Sequence, residues 1–480
     1  MHRFSKGFLK ELQFFLLALG LALPCAAQGQ GANASAIEPG KPDARIVAAL
    51  REVSAARIQA TIEKLVSFGT RATISAQDPA TIAAGRGIGA AREWIKAEFE
   101  RYSKECGGCL EVKTDSFTEA PAARIPQPTV ITNVYAVLRG TNGAGTSAAG
   151  TTDAQRIVLV TGHYDSRNSG ALDGKGDAPG ANDDGSGTAV SLECARVLSK
   201  MSSKMKFPAT IIFLTVAGEE QGLNGSSHFA RMAKEQGWNI EAVLNNDIVG
   251  GDKSAEQDRA VVRVFSEGLP AAATEPDIRR IRELGGESDS GSRQLARYVA
   301  DAGRTYSGEV GVKPVLVFRL DRYLRGGDHY SFNQQGFSGV RFTEFREDFH
   351  HQHQDVRTED GIEYGDVPKF VDFDYVANVA RLNAATLASL AAAPAPPANV
   401  HLLAKKLEND STLTWDAVPG AAEYEVLWRA TTSPEWEHAL KCGNVTHATL
   451  KVSKDNVIFA VRAVDAQGHA SLPVVAAPEG

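Results

Sequence analysis

The sequence predicts a three-layer α/β/α domain with a mixed, mostly parallel sheet, followed by a smaller all-β sandwich. Three observations lead there. Short apolar runs alternate with helically spaced ones up to about residue 392, a proline-rich break follows at residues 394–397, and after it the apolar residues recur with period two. At 480 residues the chain exceeds one ordinary core, since domains hold roughly 100–200 residues.

The elements justify this reading in order. His2, Arg3, Lys6 and Lys10 precede an apolar run at residues 14–23 and the small residues Ala26 and Ala27, the pattern of a cleaved export signal over residues 1–27. The run is shorter than the ~20 residues a bilayer-spanning helix needs, so no membrane span is expected once the signal is removed. Residues 28–48, rich in Gly, Ala, Pro and Gln without periodicity, read as a linker or pro-segment. From residue 49 the α/β domain begins. Ile88, Ala91, Arg92, Ile95 and Phe99 fall at helical spacing, and strand-like runs follow at 133–138, 157–161 and 210–216, with a helical pattern at 188–198 between the last two. Further strands are expected at 242–246, 315–318 and 340–342, and a helix at 226–236. A last helix carrying Val376, Val379, Leu382, Leu387 and Leu390 on one face closes the domain near Ala392. Strands this apolar, separated by helices, belong to a sheet covered on both faces.

Residues 393–398 form a stiff linker, because consecutive prolines favour extended geometry. Beyond it, over 399–480, Leu413 and Trp415, then Tyr424, Val426 and Trp428, then Phe459, Val461 and Ala463 alternate as half-buried strands do. Their order, L-T-W-D, Y-E-V-L-W and F-A-V-R-A-V-D, resembles a fibronectin type III domain.

Composition and cysteines narrow the function. With 43% hydrophobic and 23% charged residues the chain is globular, and a net charge of −7 leaves no basic surface for nucleic acid. Cys106 and Cys109 form a C-G-G-C unit between a predicted helix and a predicted strand. Such a unit is a redox pair, half a zinc site or a structural disulfide. The last is favoured, because no second C-x-x-C follows and a redox pair opens a helix rather than trailing one. Cys194 sits in an apolar helical run as a buried thiol.

Five short segments bearing acids or histidines fall at predicted strand ends or in the loops after them, the edge at which open α/β sheets bind ligands. The first strand motif ends in His163-Tyr164-Asp165, where Asp165 is placed to fix the ring orientation of a metal-binding histidine. Next comes G-A-N-D-D-G-S-G, residues 180–187, which serves equally as a metal loop or as an acid-capped helix entry. Gly218-Glu219-Glu220 follows the next strand; two adjacent carboxylates divide naturally between holding a metal and handling protons. Asp247 follows another apolar run, and His350, His351 and His353 crowd ahead of Asp355. Arg319, Arg322 and Arg325 precede G-G-D-H and read as a solvated charge run or as contacts to a substrate carboxylate.

In order, H-x-D, G-A-N-D-D-G-S-G, G-E-E-Q-G-L-N-G-S, N-D, G-G-D-H-Y-S-F and H-x-x-x-D resemble the M28 family of zinc exopeptidases over residues 55–390. The resemblance implies two zinc ions held by His163, Asp183, Glu220, Asp247 and His351, with His351 selected by its spacing to Asp355. It implies Asp183 as the bridge, Glu219 as the general base and Asp165 behind His163. Where family members often carry a tyrosine before the late histidine, this chain has His350. Two zinc ions bring four positive charges against three from the carboxylates, and a bridging hydroxide balances the remainder. The implied activity is hydrolysis of N-terminal residues from peptide substrates outside the cytoplasm, in a periplasmic or secreted location. Carboxypeptidases, glutaminyl cyclases and metal-free receptors are alternatives on the same fold, and the complete ligand set favours the peptidase.

Overall fold

The computed structural model describes residues 35–141 and 155–479. The expected signal segment lies outside them. Eight strands form the central sheet: β1 Leu110–Glu119, β2 Thr129–Leu138, β3 Arg156–His163, β4 Thr210–Val216, β5 Asn239–Asn246, β6 Val261–Ser266, β7 Lys313–Val317 and β8 Gly339–Glu344. Their order is β1-β2-β4-β3-β5-β8-β6-β7. Pairs β4–β3, β3–β5, β5–β8 and β6–β7 are parallel, while β1–β2, β2–β4 and β8–β6 are antiparallel. The sheet is mixed and mostly parallel, as expected.

Successive strand residues point to opposite faces, and here both faces are buried. Val158, Val160, Ile211, Phe213, Ala242 and Leu244 pack beneath the helices Gly185–Met201 and Phe373–Ala392. Ile157, Leu159, Ile212, Leu214 and Val243 pack on the other face beneath Asn224–Glu235 and Asp328–Gln334, through Phe229 and Phe332. Gly187 lets the first of these helices press onto the sheet: a Cβ there would lie 2.1 Å from the Asn246 carbonyl oxygen. The glycines of the acidic loop therefore serve packing as well as turning.

Beyond residue 400, β9 His401–Leu403, β10 Ser411–Thr414, β11 Glu423–Ala430, β12 His438–Lys441, β13 His447–Leu450, β14 Val457–Val464, β15 Val474–Val475 and β16 Ala477–Glu479 form two sheets. One carries β12-β11-β14-β15, the other β13-β10-β9-β16. Leu413, Ala448 and Leu450 from one meet Tyr424, Val426, Trp428, Phe459 and Val461 from the other in a separate core. The stretch 393–398 is no free spacer: Ala393 and Ala395 are buried, and Arg156 Nη1 donates to the Ala393 carbonyl at 2.9 Å.

This domain is seated on the helix Gly291–Thr305. Arg429, 1% exposed, grips both oxygens of Asp289 at 2.7 and 2.8 Å. Trp436 Nε1 donates to Gln294 at 3.2 Å, and the Arg297 guanidinium lies over the Trp436 ring. The segment expected as a loose linker also contributes. Ser35–Ala36 forms a strand antiparallel to β12, pairing Ser35 with Ala439, and a helix starts at Ala44, capped by Asp43, before the predicted boundary at 49. Asp43 in turn lies 3.1 Å from His469. The short apolar stretch R-I-V-A-A-L was too brief to announce that helix by periodicity. Cys106 and Cys109 are disulfide-bonded at the end of the helix Gly87–Glu105, and Cys194 is a buried free thiol.

Candidate metal centre

The C-terminal ends of parallel strands converge on one cleft. β3 ends at His163, β4 runs into Glu219 and Glu220, β5 into Asp247, and the chain after β8 brings the histidine cluster. Gly218, at φ +78°, makes the turn that aims the two glutamates.

Two groups of potential metal donors meet there: His163, Glu219 and Asp247, and Asp183, Glu220 and His353. They touch through His163 Nε2 and Asp183 Oδ1, 3.1 Å apart, with Asp247 Oδ1 3.9 Å from the same nitrogen. His353 Nε2 lies 2.9 Å from Asp183 Oδ2 and 3.0 Å from Glu220 Oε1. His163 Nε2 and Glu220 Oε1 are buried and make no well-aligned hydrogen bond, meeting only the ion-pair contacts just given. Buried polar atoms are seldom left so, and a site for an ion is one of the accepted reasons. Imidazole nitrogens and carboxylate oxygens are the donors zinc takes.

The late histidine is corrected by this geometry. His351 does not join the group: its Nδ1 lies 2.6 Å from Asp252 Oδ2 and its ring stacks on Phe370 at 3.6 Å. His353 stands where His351 was expected, because a turn with His353 at φ +54° swings its ring toward Asp183. Spacing to Asp355 cannot register a reversal of this kind. His350 is exposed and bonded to Asp348 at 2.9 Å, outside the cleft. A third donor group, Asp252, Asp348 and His351, results.

Behind the donors, Asp165 acts as a hub. His163 Nδ1 lies 3.1 Å from the Asp165 carbonyl and 3.4 Å from its carboxylate. The carboxylate also accepts from Thr73 Oγ1 at 2.9 Å and from the backbone N–H groups of Glu219 and Glu220 at 3.4 and 3.2 Å. One residue thus fixes the ring and both glutamates. The two readings of the acidic loop divide between neighbours. Asp184 caps the helix through Gly187 N at 2.8 Å and also accepts from His163 N, while Asp183 faces the cleft. Burial, then the nearby Asp247, Glu220 and Asp328 carboxylates, push the Glu219 carboxyl well above its usual range against the pull of His163.

Several supporting residues carried no sequence signal. Asp366 accepts from the backbone N–H groups of Asn182 and Asp183, both at 2.7 Å, and Arg71 donates to the carbonyls of Tyr164 and Gly180, each at 2.7 Å. The fully buried Arg341 lies 2.9 Å from Asp247 and 3.1 Å from Asp321. None sits in a motif, and all act through main chain or across distant segments.

The family model of peptidase family M28 matches residues 142–369. A probable zinc metalloprotease of Pyrenophora teres f. teres is 44% identical over 479 residues, covering 96% of this chain and 95% of its own. Another, from Pyricularia oryzae, is 46% identical over 440 residues, covering 90% and 84%. Among solved structures, LapB from Legionella pneumophila matches with TM-score 0.50 at 19% identity, over 75% of this chain and 78% of that one, a likeness of fold. Fold, donor set and relatives together define a zinc metalloprotease. The chain belongs to peptidase family M28.

Proposed function

We propose that the chain is an exported exopeptidase that removes N-terminal residues from peptides with the aid of two zinc ions. The observation that carries this reading is the pair of donor groups joined at His163 and Asp183, with His163 Nε2 and Glu220 Oε1 buried and making no well-aligned hydrogen bond. His163 and Asp247 would hold one ion, Glu220 and His353 the other, and Asp183, whose two oxygens face His163 and His353, stands between them. Two divalent ions held there would acidify a bound water to a pKa of roughly 7 and polarise the scissile carbonyl.

The protein's own groups do the rest. Glu219 stands beside His163 and Asp247 without being needed as a ligand, so its carboxylate takes a proton from the attacking water and returns it to the leaving amine. Asp165 holds the His163 ring with Nε2 toward the cleft. The complete donor set favours hydrolysis over a single-metal cyclase, and the presence of Glu219 argues against a non-catalytic binding protein. The C-terminal sandwich is read as a fibronectin type III-like domain.

Hydrolysis of aminoacyl and N-blocked peptides, with and without chelator, tests the reading. Free N-termini should be required and chelator should stop turnover. Equal cleavage of blocked and free peptides would refute the direction, and activity indifferent to chelator would refute the metal.

A further inference from the structure

The cleft in front of the metal donors has a volume of about 370 Å³, and its wall carries four arginines: Arg124, Arg167, Arg322 and Arg325. Every carboxylate lining it is already committed. Asp183, Glu220 and Asp247 are donors, and Glu219 is the proton carrier. Among the described residues, the arginines are undersupplied with counter-charges. Glu347 is shared by three guanidinium groups, those of Arg263, Arg322 and Arg325, at 3.0, 2.6 and 3.0 Å. Asp321, which also pairs with Arg322, is itself shared with Arg341. Arg124 donates to the Glu220 carbonyl at 2.9 Å and Arg167 to the Asn168 carbonyl at 3.3 Å; neither hydrogen bond reaches a carboxylate, and Arg167 comes only within 4.0 Å of the Glu220 side chain.

With divalent ions bound, the four carboxylates of the cleft face the ions, and the guanidinium charges are left facing the substrate. A concave site with excess charge of one sign focuses its field and draws the opposite charge. Guanidinium groups bind carboxylates in a paired, planar geometry. The cleft also offers no uncommitted acid to hold a cationic side chain.

From this, and resting on the exopeptidase reading above, we propose that the arginine wall is a carboxylate subsite, so that the preferred substrates are short peptides bearing a carboxylate next to the scissile bond. Two sources supply that group: an acidic side chain flanking the bond, or the α-carboxylate of a dipeptide. A cleft of this volume matches a ligand of that size. Arg322 and Arg325 lie on the loop that also puts the exposed Leu324 at the cleft wall, so that loop sets selectivity.

The test uses the full chain with zinc and four substrates: Ala-Gln-amide, Ala-Glu-amide, Glu-Ala-amide and free Ala-Gln. At least one carboxylate-bearing member should exceed Ala-Gln-amide in kcat/KM by tenfold or more, and which member does so identifies the source. That ratio should fall at least fivefold in Arg124→Met and in Arg325→Met, and Arg124→Lys should keep part of it. Because Arg325 is tied to Glu347, thermal melting checks that each variant folds, and Arg124, on an exposed loop, gives the independent result. Equal kcat/KM across the four, or a ratio unmoved in the variants, would overturn the subsite while leaving chelator-sensitive hydrolysis intact. If none of the four is cleaved, the exopeptidase reading falls, and calorimetry with glutarate against glutaramide decides the subsite alone. Tighter glutarate binding that is lost in Arg124→Met supports it; equal binding in wild type and variant refutes it.

Discussion

Two histidine–carboxylate groups, built around His351 and His353, are nearly the same in composition, yet they differ in how their polar atoms are satisfied. Around Asp183, Glu220 and His353, and in the adjoining His163, donor atoms crowd together and two buried ones make no well-aligned hydrogen bond. Around Asp252, Asp348 and His351, the ring nitrogen is taken by Asp252 and the ring face by Phe370, and the Ser254 hydroxyl lies between the two aspartates, 2.7 and 2.9 Å from their carboxylates. The first arrangement calls for a cation, and the second is complete without one. Residue type and spacing do not separate the two; satisfaction does.

The largest expected effect sharpens the first group internally. Glu219→Gln should lower kcat by about a thousandfold or more, near 4 kcal/mol of barrier, while zinc content measured by atomic emission stays at two per chain. Loss of metal instead would show that the two glutamates exchange roles. The next prediction sets the groups against each other. His353→Ala should lose about one zinc and at least a hundredfold in activity, whereas His351→Ala should keep both ions and activity within tenfold. The opposite pattern would break the comparison and restore the assignment by spacing.

Chelation acts only on the unsatisfied group. Removing zinc should lower unfolding stability by about 2.7 kcal/mol for each ion present at a hundred times its dissociation constant, seen as a fall in Tm that re-added zinc restores. In His353→Ala that fall should shrink. The smallest effect belongs to the satisfied group: Asp252→Asn should cost about 1–3 kcal/mol in stability by weakening the bond to His351, with zinc content unaltered. A loss of zinc in that variant would mean the second group supports the first.

What the sequence disclosed follows the same division. Strands β3, β4, β5 and β8 were legible because runs such as I-V-L-V-T and T-I-I-F-L-T-V are buried on both faces and contain little else. β1 went unread because it is an edge strand in which only Leu110 is buried, and β6 because its V-V-R-V-F-S carries an arginine in the middle. Four of the five proposed donors were placed by motif. The fifth failed at a turn, where one left-handed residue decides which of three histidines faces the cleft. Asp366, Arg71 and Arg341 were illegible because their partners lie far away in the chain, and no local pattern records them. Of the arginine run, Arg322 and Arg325 reach the cleft, while Arg319 lies over Tyr323 instead.

The short strand at Ser35–Ala36 has a consequence for how the molecule is made. Its partner strand, at Ala439, is synthesised about 400 residues later, so this pairing closes a loop that includes the whole peptidase domain. Contacts of such separation form late. The start of the described chain must wait, unpaired, until the C-terminal domain has folded, and a fusion partner or a new N-terminus introduced near residue 35 will be felt first at β12 and only afterwards at the cleft.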